Sequence, residues 1–178
     1  YHEVWDGSKY TKLSETKYLT RAGELPFGNL HAPELAEFLG LMQTDGSVTW
    51  NQTPKFTNCS KEVLDRFEQV CSVAYPHVAI KKYPKGNGFD YVLSMDKKPG
   101  HHPVREHLSD PEHIPEIAWK FDRESALAFI SGLISGDGSI SYRMSKTKRG
   151  FTAPCGSLVI EGGVSKSTAE DYRLYLLK

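Results

Sequence analysis

Hydrophobic positions recur at helical spacing in three stretches of the chain, residues 33–46, residues 61 to about 73 and residues 123–136. The first stretch opens on proline, which suits the first turn of a helix, and closes on glycine. The other two follow Ser60 and Asp122, whose side chains can cap a helix N-terminus. The pattern therefore predicts three helices with defined ends.

Between the helices lie short runs rich in β-branched and aromatic residues. They are predicted as strands at residues 47–50, 55–58, 77–83, 89–95, 139–144 and 157–163. Residues 84–88 contain an Asn-Gly pair, a strong hairpin signal. Residues 145–156 are predicted to join the last two strands, and residues 98–115 to form a connector with a short helix near 104–108. This order predicts an α+β fold built from two similar units, preceded by strand and loop in residues 1–30.

A sixteen-residue segment occurs twice, at residues 35–50 and 127–142. Identical pairs 92 positions apart are Leu35/Leu127, Ala36/Ala128, Gly40/Gly132, Leu41/Leu133, Asp45/Asp137, Gly46/Gly138 and Ser47/Ser139. A repeat this long predicts two half-domains that pair around a pseudo-twofold axis. Because Gly40 and Gly132 have no side chains, the two helices can cross closely and bring both Asp-Gly ends together.

Each repeated helix ends on an aspartate, where the helix dipole disfavours negative charge. Asp45 and Asp137 therefore require a compensating cation if they meet. Carboxylate and carbonyl oxygens suit Mg²⁺, which activates water and stabilises charge during phosphodiester cleavage. The alternative interpretation is that each Asp-Gly pair only stops a helix.

Composition limits the remaining possibilities. The 178-residue chain carries 22 Lys plus Arg and 22 Asp plus Glu. Its neutral net charge therefore gives no evidence for a nucleic-acid or a membrane partner. Three widely spaced cysteines and apolar runs shorter than the roughly 20 residues of a spanning helix predict a cytoplasmic protein. The histidines at positions 101, 102, 107 and 113 lack the spacing of a zinc site.

The segments FLGLMQTDG (residues 38–46) and ISGLISGDG (residues 130–138) resemble the paired signature helices of the LAGLIDADG, or dodecapeptide, homing endonucleases. The similarity extends over residues 31–178 and is closest to the two-repeat, intein-associated members. It implies a pseudo-twofold pair of αββαββα half-domains, residues 31–115 and 116–178, with the signature helices at the interface and a β-saddle on DNA. It also implies a monomer with internal pseudo-symmetry.

The resemblance implies an Mg²⁺-dependent endonuclease that cuts a long, asymmetric site in double-stranded DNA. It places the metal ligands on Asp45 and Asp137, and a catalytic basic residue on Lys98 or its neighbour Lys97. Gln43 and Ser135 stand where the family name has an acidic residue. The alternative is a non-cleaving relative that binds nucleic acid, either an RNA maturase or a DNA-binding regulator.

Basic residues in the predicted hairpins are the candidate DNA contacts: Lys55, Lys81, Lys82, Lys85, Arg143, Lys146, Lys148 and Arg149. Strand alternation is predicted to send Lys55, Thr57, Tyr83, Tyr91, Ser141 or Arg143 to one face.

The two ends of the chain carry further expectations. Residues 1–30 are similar to a segment of intein splicing domains, so they are expected to be a remnant of one or an extension, with a host protein as partner. The second unit is shorter than the first, and about 50 further residues carrying a second basic residue are expected to follow Lys178.

Overall fold

The computed structural model describes residues 3–5, 10–12, 27–49, 52–95, 102–108, 110, 113–146, 152–160 and 166–176. The helices are α1 Pro33–Asp45, α2 Lys61–Ala74, α3 Val104–His107, α4 Arg123–Asp137 and α5 Lys166–Tyr175, with a 3₁₀ helix at Glu116–Lys120. The strands are β1 Glu3–Trp5, β2 Tyr10–Lys12, β3 Gly46–Ser47, β4 Lys55–Asn58, β5 Ala79–Lys85, β6 Gly88–Ser94, β7 Gly138–Lys146 and β8 Thr152–Ile160. The predicted α+β class is confirmed.

The helix starts agree with the capping residues. The Ser60 hydroxyl accepts the N–H of Val63 at 3.3 Å, and the Asp122 carboxylate accepts the N–H of Ser125 at 2.8 Å. Each bond satisfies one of the backbone donors that a helix leaves unpaired in its first turn. The three predicted long helices are therefore confirmed to within two residues at each end.

Strands β3 to β6 form an antiparallel sheet in the order β3-β4-β6-β5. The predicted strand at residues 47–50 is wrong in extent, because among its described residues, 47–49, Ser47 alone pairs with β4, together with the preceding Gly46. The predicted hairpin turn also shifts by one residue. Lys85 pairs with Gly88, so Gly86 and Asn87 form the turn, and Gly86 supplies the positive φ of 57°. Glycine at the first central position is what a type II′ turn requires.

One face of this sheet is covered by α1 and α2. Phe56 of β4 stacks on Phe67 of α2 with ring centroids 4.1 Å apart, and Phe38 of α1 lies 5.3 Å from Phe67. Arg66 of α2 donates to both carboxylate oxygens of the buried Glu37 of α1, at 2.7 and 2.5 Å. The aromatic cluster and this ion pair fix α1 in place on the sheet.

Strands β7 and β8 form a separate antiparallel pair that runs from Gly138 opposite Ile160 to Lys146 opposite Thr152. The predicted connection at residues 145–156 is therefore wrong, because most of it is strand. Pro154 lies within β8 opposite Met144, and a two-stranded ladder tolerates proline because each strand also has an edge that faces away from its partner.

Helix α5 packs beside α4 and the segment that precedes it. The buried Asp171 carboxylate accepts the N–H of Ile114 at 3.1 Å and lies 3.0 Å from the His113 ring. Tyr175 donates its hydroxyl to the Ala118 carbonyl at 2.9 Å and packs against Trp119 and Phe129. No helix in the described part of the chain has the length and apolar character to cross a bilayer.

Candidate active site at the crossing of two helices

Helices α1 and α4 cross with their backbones in contact. A methyl group on Gly40 would collide with the Phe129 carbonyl and lie 3.1 Å from the Gly132 Cα. A methyl group on Gly132 would collide with the Glu37 carbonyl and lie 3.0 Å from the Gly40 Cα. Because Glu37 and Phe129 are themselves 92 positions apart, the contact is reciprocal. The predicted glycine crossing is confirmed.

The crossing brings the two helix ends together. Asp45 and Asp137 are the last residues of α1 and α4. A methyl group on Gly136, the neighbour of Asp137, would lie only 3.2 Å from the Asp45 carboxylate oxygen Oδ2 and would collide with Thr44. Glycine at position 136 therefore lets the Asp45 carboxylate lie against the end of α4.

A side chain that the sequence reasoning missed holds Asp45 in position. Asn58, at the end of β4, donates its amide Nδ2 to Asp45 Oδ2 at 2.6 Å. Its other amide atom, Oδ1, accepts the backbone N–H of Ser60 at 2.7 Å, which fixes the orientation of the amide. The sequence does carry a signal for this residue, since an Asn two positions before a capping serine commonly bonds the backbone there.

The electrostatics of this position are unfavourable for a bare carboxylate. Burial raises the pKa of Asp45 above its usual value, the negative charge of Asp137 raises it further, and the hydrogen bond from Asn58 opposes both. A half-buried carboxylate with a second negative charge nearby favours either protonation or a bound cation.

A cavity of about 570 Å³ opens beside Asp45. Asn58 and Cys59 line it from β4 and the residue after it, Ser135 and Gly136 line it from α4, and Lys85 lines it from the β5–β6 turn. The carboxylate and a lysine thus border one space. Lys85 was predicted only as a DNA contact, whereas the predicted basic residues Lys97 and Lys98 lie outside the described residues.

The arrangement fits a cation that takes few protein ligands. Among the residues that the structure describes, no group of three or more His, Cys, Asp or Glu side chains could hold a metal. Two carboxylates at the ends of two helices can, however, share a Mg²⁺ ion with water and substrate phosphate oxygens. Asp45 and Asp137 are the residues that would hold it.

The predicted DNA contacts of the first unit divide between the two faces of the sheet. We call the face of the β3–β6 sheet opposite helices α1 and α2 the open face. Strand register places the following residues on it, in line with Val92, Asp90 and Gly88 of β6: Lys55, Thr57, Lys81, Tyr83 and Lys85. Lys81 and Lys85 are exposed, and Lys55 is partly exposed.

Tyr91, which was predicted to lie on that face, and Lys82, which was predicted to contact DNA, lie on the other side. Tyr91 is 5% exposed and packs near Phe67, with ring centroids 6.3 Å apart. Lys82, which pairs with Tyr91 in the sheet, bonds Glu68 of α2 at 2.6 Å. Placing Tyr91 on the open face was wrong, because the strand alternates in the opposite phase and Tyr91 belongs to the core.

The remaining candidates lie in or near the second hairpin. Arg143 pairs with Cys155 and Lys146 with Thr152 in the β7–β8 ladder. Lys148 and Arg149 lie outside the described residues. Two of the histidines have structural partners instead of a shared site: His102 bonds the Leu93 carbonyl at 2.9 Å, and His113 contacts Asp171.

Comparison with known proteins finds a distant similarity. No protein-family model matches the chain. The chain is similar to a glutamine–fructose-6-phosphate aminotransferase (isomerizing) of Methanocaldococcus jannaschii, with 23% identity over 155 residues. That match covers 84% of this chain but 14% of the aminotransferase.

These comparisons overturn the assignment to the LAGLIDADG, intein-associated endonuclease family. No endonuclease family matches, and the similar protein is named as an aminotransferase. The physical reason for the error lies in the shortness of the two motifs. Gly40 and Gly132 are explained by the crossing itself, and Gly46 and Gly138 by their close approach to the preceding turns, where a methyl group would collide with Met42 or Ile134. Packing alone can therefore produce much of the resemblance.

Proposed function

We propose that the protein is a divalent-metal-dependent DNA endonuclease whose active centre is the carboxylate pair Asp45 and Asp137. The observation that carries the proposal is the approach of the Asp45 carboxylate to the end of α4, whose last residue is Asp137, at a reciprocal helix crossing. Acidic residues destabilise helix C-termini, and here the destabilisation occurs twice within one site. A carboxylate that borders a cavity and has a raised pKa, as Asp45 does, is frequent at catalytic centres.

The chain's own residues have separate tasks in this proposal. Asp45 and Asp137 bind the cation, and Asn58 holds the Asp45 carboxylate through the bond at 2.6 Å. Lys85 borders the same cavity and supplies positive charge to a phosphate that enters it. The bound metal would activate water and neutralise charge that develops on the phosphodiester.

The finer architecture is part of the same proposal. We infer that the two repeated segments belong to half-domains related by a pseudo-twofold axis through the Gly40–Gly132 contact, each of αββαββα type. The reciprocal contacts at the crossing support this arrangement. In the first unit α1, β3, β4, α2, β5, β6 and α3 follow in that order. The open faces of the two sets of strands would then form the saddle that lies on DNA.

The proposed substrate is a long, asymmetric site in double-stranded DNA. Lys55, Lys81 and Lys85 would contact backbone phosphates of one half-site. Arg143, Lys146, Lys148 and Arg149 would contact those of the other. Asymmetry follows because the equivalent hairpins differ in length: β3 and β4, which follow α1, have two and four residues, whereas β7 and β8, which follow α4, have nine each.

Cleavage of a randomised duplex pool tests this function. Protein, pool and Mg²⁺ are combined, and the cut ends are sequenced for the wild type and for Asp45→Asn, Asp137→Asn and Asp65→Asn. Asp65 is the control, because it is an exposed carboxylate of α2 that pairs with Lys61 away from the cavity. We expect recurrent cut sites from the wild type and Asp65→Asn, and none from the other two, with their DNA binding kept within about tenfold.

Two results would contradict the proposal. Equal cleavage by all four proteins would remove the carboxylate pair from catalysis. Loss of folding or of DNA binding in both Asp45→Asn and Asp137→Asn would make these side chains structural.

A second candidate is a protein that binds nucleic acid through the same face without cutting it. It is favoured by the small number of described metal ligands, since two carboxylates can be retained for helix packing alone. Stable binding of duplex or RNA by the wild type, with no metal-dependent product, would select this candidate.

A further inference from the structure

We propose that Asp90 is a specificity-determining residue of the open sheet face: it suppresses binding to arbitrary DNA and accepts a hydrogen bond from the amino group of one base, preferably cytosine. The inference rests on the proposed function, since it concerns the same DNA-binding surface. It assigns to one acidic residue a role opposite to that of the lysines around it.

Asp90 occupies the centre of that surface. It lies on β6, an inner strand, with Thr57 of β4 and Tyr83 of β5 directly across from it. Its side chain is 17% exposed, so the carboxylate remains accessible from the open face. A base edge presented to this face would therefore meet Asp90 between Thr57 and Tyr83.

The carboxylate is held in position by three side chains of the same face. Thr57 donates its hydroxyl to Oδ1 at 2.6 Å, Lys85 lies 3.3 Å from Oδ1, and Lys55 lies 3.5 Å from Oδ2. The hydrogen bond from Thr57 and the two ammonium groups keep the pKa of Asp90 below its usual value. Asp90 is therefore a fixed negative charge in the middle of a basic surface.

This placement has two consequences for DNA. A phosphate that approaches Lys55 or Lys85 must compete with Asp90 for the ammonium group, which weakens contacts that are independent of sequence. A carboxylate in a DNA groove also loses its water unless it meets a donor. In the major groove, the cytosine N4 amino group is the donor that carboxylates accept from. A DNA site with cytosine at the matching position therefore regains the affinity that Asp90 removes from nonspecific binding.

The opposite face of the sheet provides a matched control. There Lys82 and Glu68 form a pair at 2.6 Å, and both side chains are 46% exposed. Glu68→Gln removes a carboxylate partner from a lysine of the same hairpin, as Asp90→Asn does, but on the side covered by helix α2. A general change in net charge or in hairpin stability would affect both variants alike.

The experiment measures duplex binding without cleavage, in Ca²⁺, for the wild type, Asp90→Asn and Glu68→Gln. Bound sequences are recovered from a randomised pool, and the affinity for an unselected duplex is followed against salt. We expect Asp90→Asn to bind the unselected duplex about 3- to 10-fold more tightly, with a salt slope larger by about 1 to 2, as two lysines become available to phosphates. At one base pair the selected preference should change from cytosine to adenine, because an amide pairs with adenine. Glu68→Gln should match the wild type.

Several outcomes would overturn the inference. Selected sequences and salt slope for Asp90→Asn that coincide with those of the wild type would remove Asp90 from recognition while leaving the endonuclease proposal intact. Equal changes in Asp90→Asn and Glu68→Gln would reduce the effect to net charge. Absence of any duplex binding by the wild type at low salt would overturn both proposals together.

Discussion

The middle of the α1–α4 crossing and the end of the same crossing differ in what they contribute to stability. In the middle, Gly40 and Gly132 allow backbone contact, and no polar side chain intervenes between these two positions. A few residues further along, Asp45 and Asp137 bring like charges together, and the pKa of Asp45 is raised. The same pair of helices is thus well packed at Gly40 and Gly132 and electrostatically unfavourable at Asp45 and Asp137.

The difference indicates that the end of the crossing at Asp45 and Asp137 has a role other than stabilising the fold. A rigid crossing positions the carboxylates, and the energetic penalty of their proximity is tolerated because close packing nearby offsets it. Substitutions at the two levels should therefore change stability in opposite directions.

The largest effect is expected for Gly132→Val. The added side chain would collide with the Glu37 carbonyl and crowd the backbone at Leu41 and Gly40, so the helices must separate. We expect a loss of about 3 kcal/mol or more in the free energy of unfolding, measured with urea. Ser131→Val is the control, because residue 131 is an exposed neighbour on α4 and should change stability by less than about 0.5 kcal/mol. Equal effects at the two positions would show that the crossing is not close-packed.

An intermediate effect is expected for Asn58→Ala. This change removes the bond to the Asp45 carboxylate and the bond from the Ser60 N–H. We expect a loss of about 1 to 2 kcal/mol at neutral pH. In the Asp45→Asn background the loss should be smaller, since a charged acceptor is no longer left without its donor. The same loss in both backgrounds would mean that Asn58 does not act on Asp45.

The smallest effect is expected for Asp45→Asn, and it has the opposite sign. A folded-state pKa above the unfolded value means that ionised Asp45 destabilises the protein. We expect the variant to gain about 0.5 kcal/mol at neutral pH, after allowance for solvent screening at this half-buried site. The gain should shrink as the pH falls through the raised pKa, and it should vanish below the usual value of 3.8, where Asp45 is protonated in both states. Thermal unfolding at a series of pH values measures this gain in stability. If Asp45→Asn is less stable than the wild type at pH 7, the ionised Asp45 carboxylate does not destabilise the protein.

Local sequence signals predicted the helices well, because each end depends on residues close in the chain. Ser60 and Asp122 accept hydrogen bonds from N–H groups three residues away. The contact between Gly40 and Gly132 was predicted from their equivalent positions in the two repeated segments. The hydrogen bond from Asn58 to Asp45 joins residues 13 positions apart, and hydrophobic periodicity cannot predict it.

The faces of the sheet were harder to predict from the same information. Lys81 and Lys82 are adjacent, so one must lie on each face, and either choice is consistent with the alternation. Helix α2 decides between them, because it presents Glu68 to Lys82 and Phe67 to Tyr91. Strands β7 and β8 extend into the predicted connection because they pair with each other as far as Lys146 and Thr152, which the local sequence pattern did not indicate.

Cation binding by the isolated protein tests whether Asp45 and Asp137 form a metal site. Thermal unfolding of the wild type, Asp45→Asn and Asp137→Asn is compared with and without about 10 mM Mg²⁺, at matched ionic strength. A site with a Kd of about 1 mM would stabilise the wild type by about 1.4 kcal/mol. We expect this stabilisation in the wild type and its loss in both variants. Equal Mg²⁺ effects in all three proteins, or none in the wild type, would contradict a cation site between the two carboxylates.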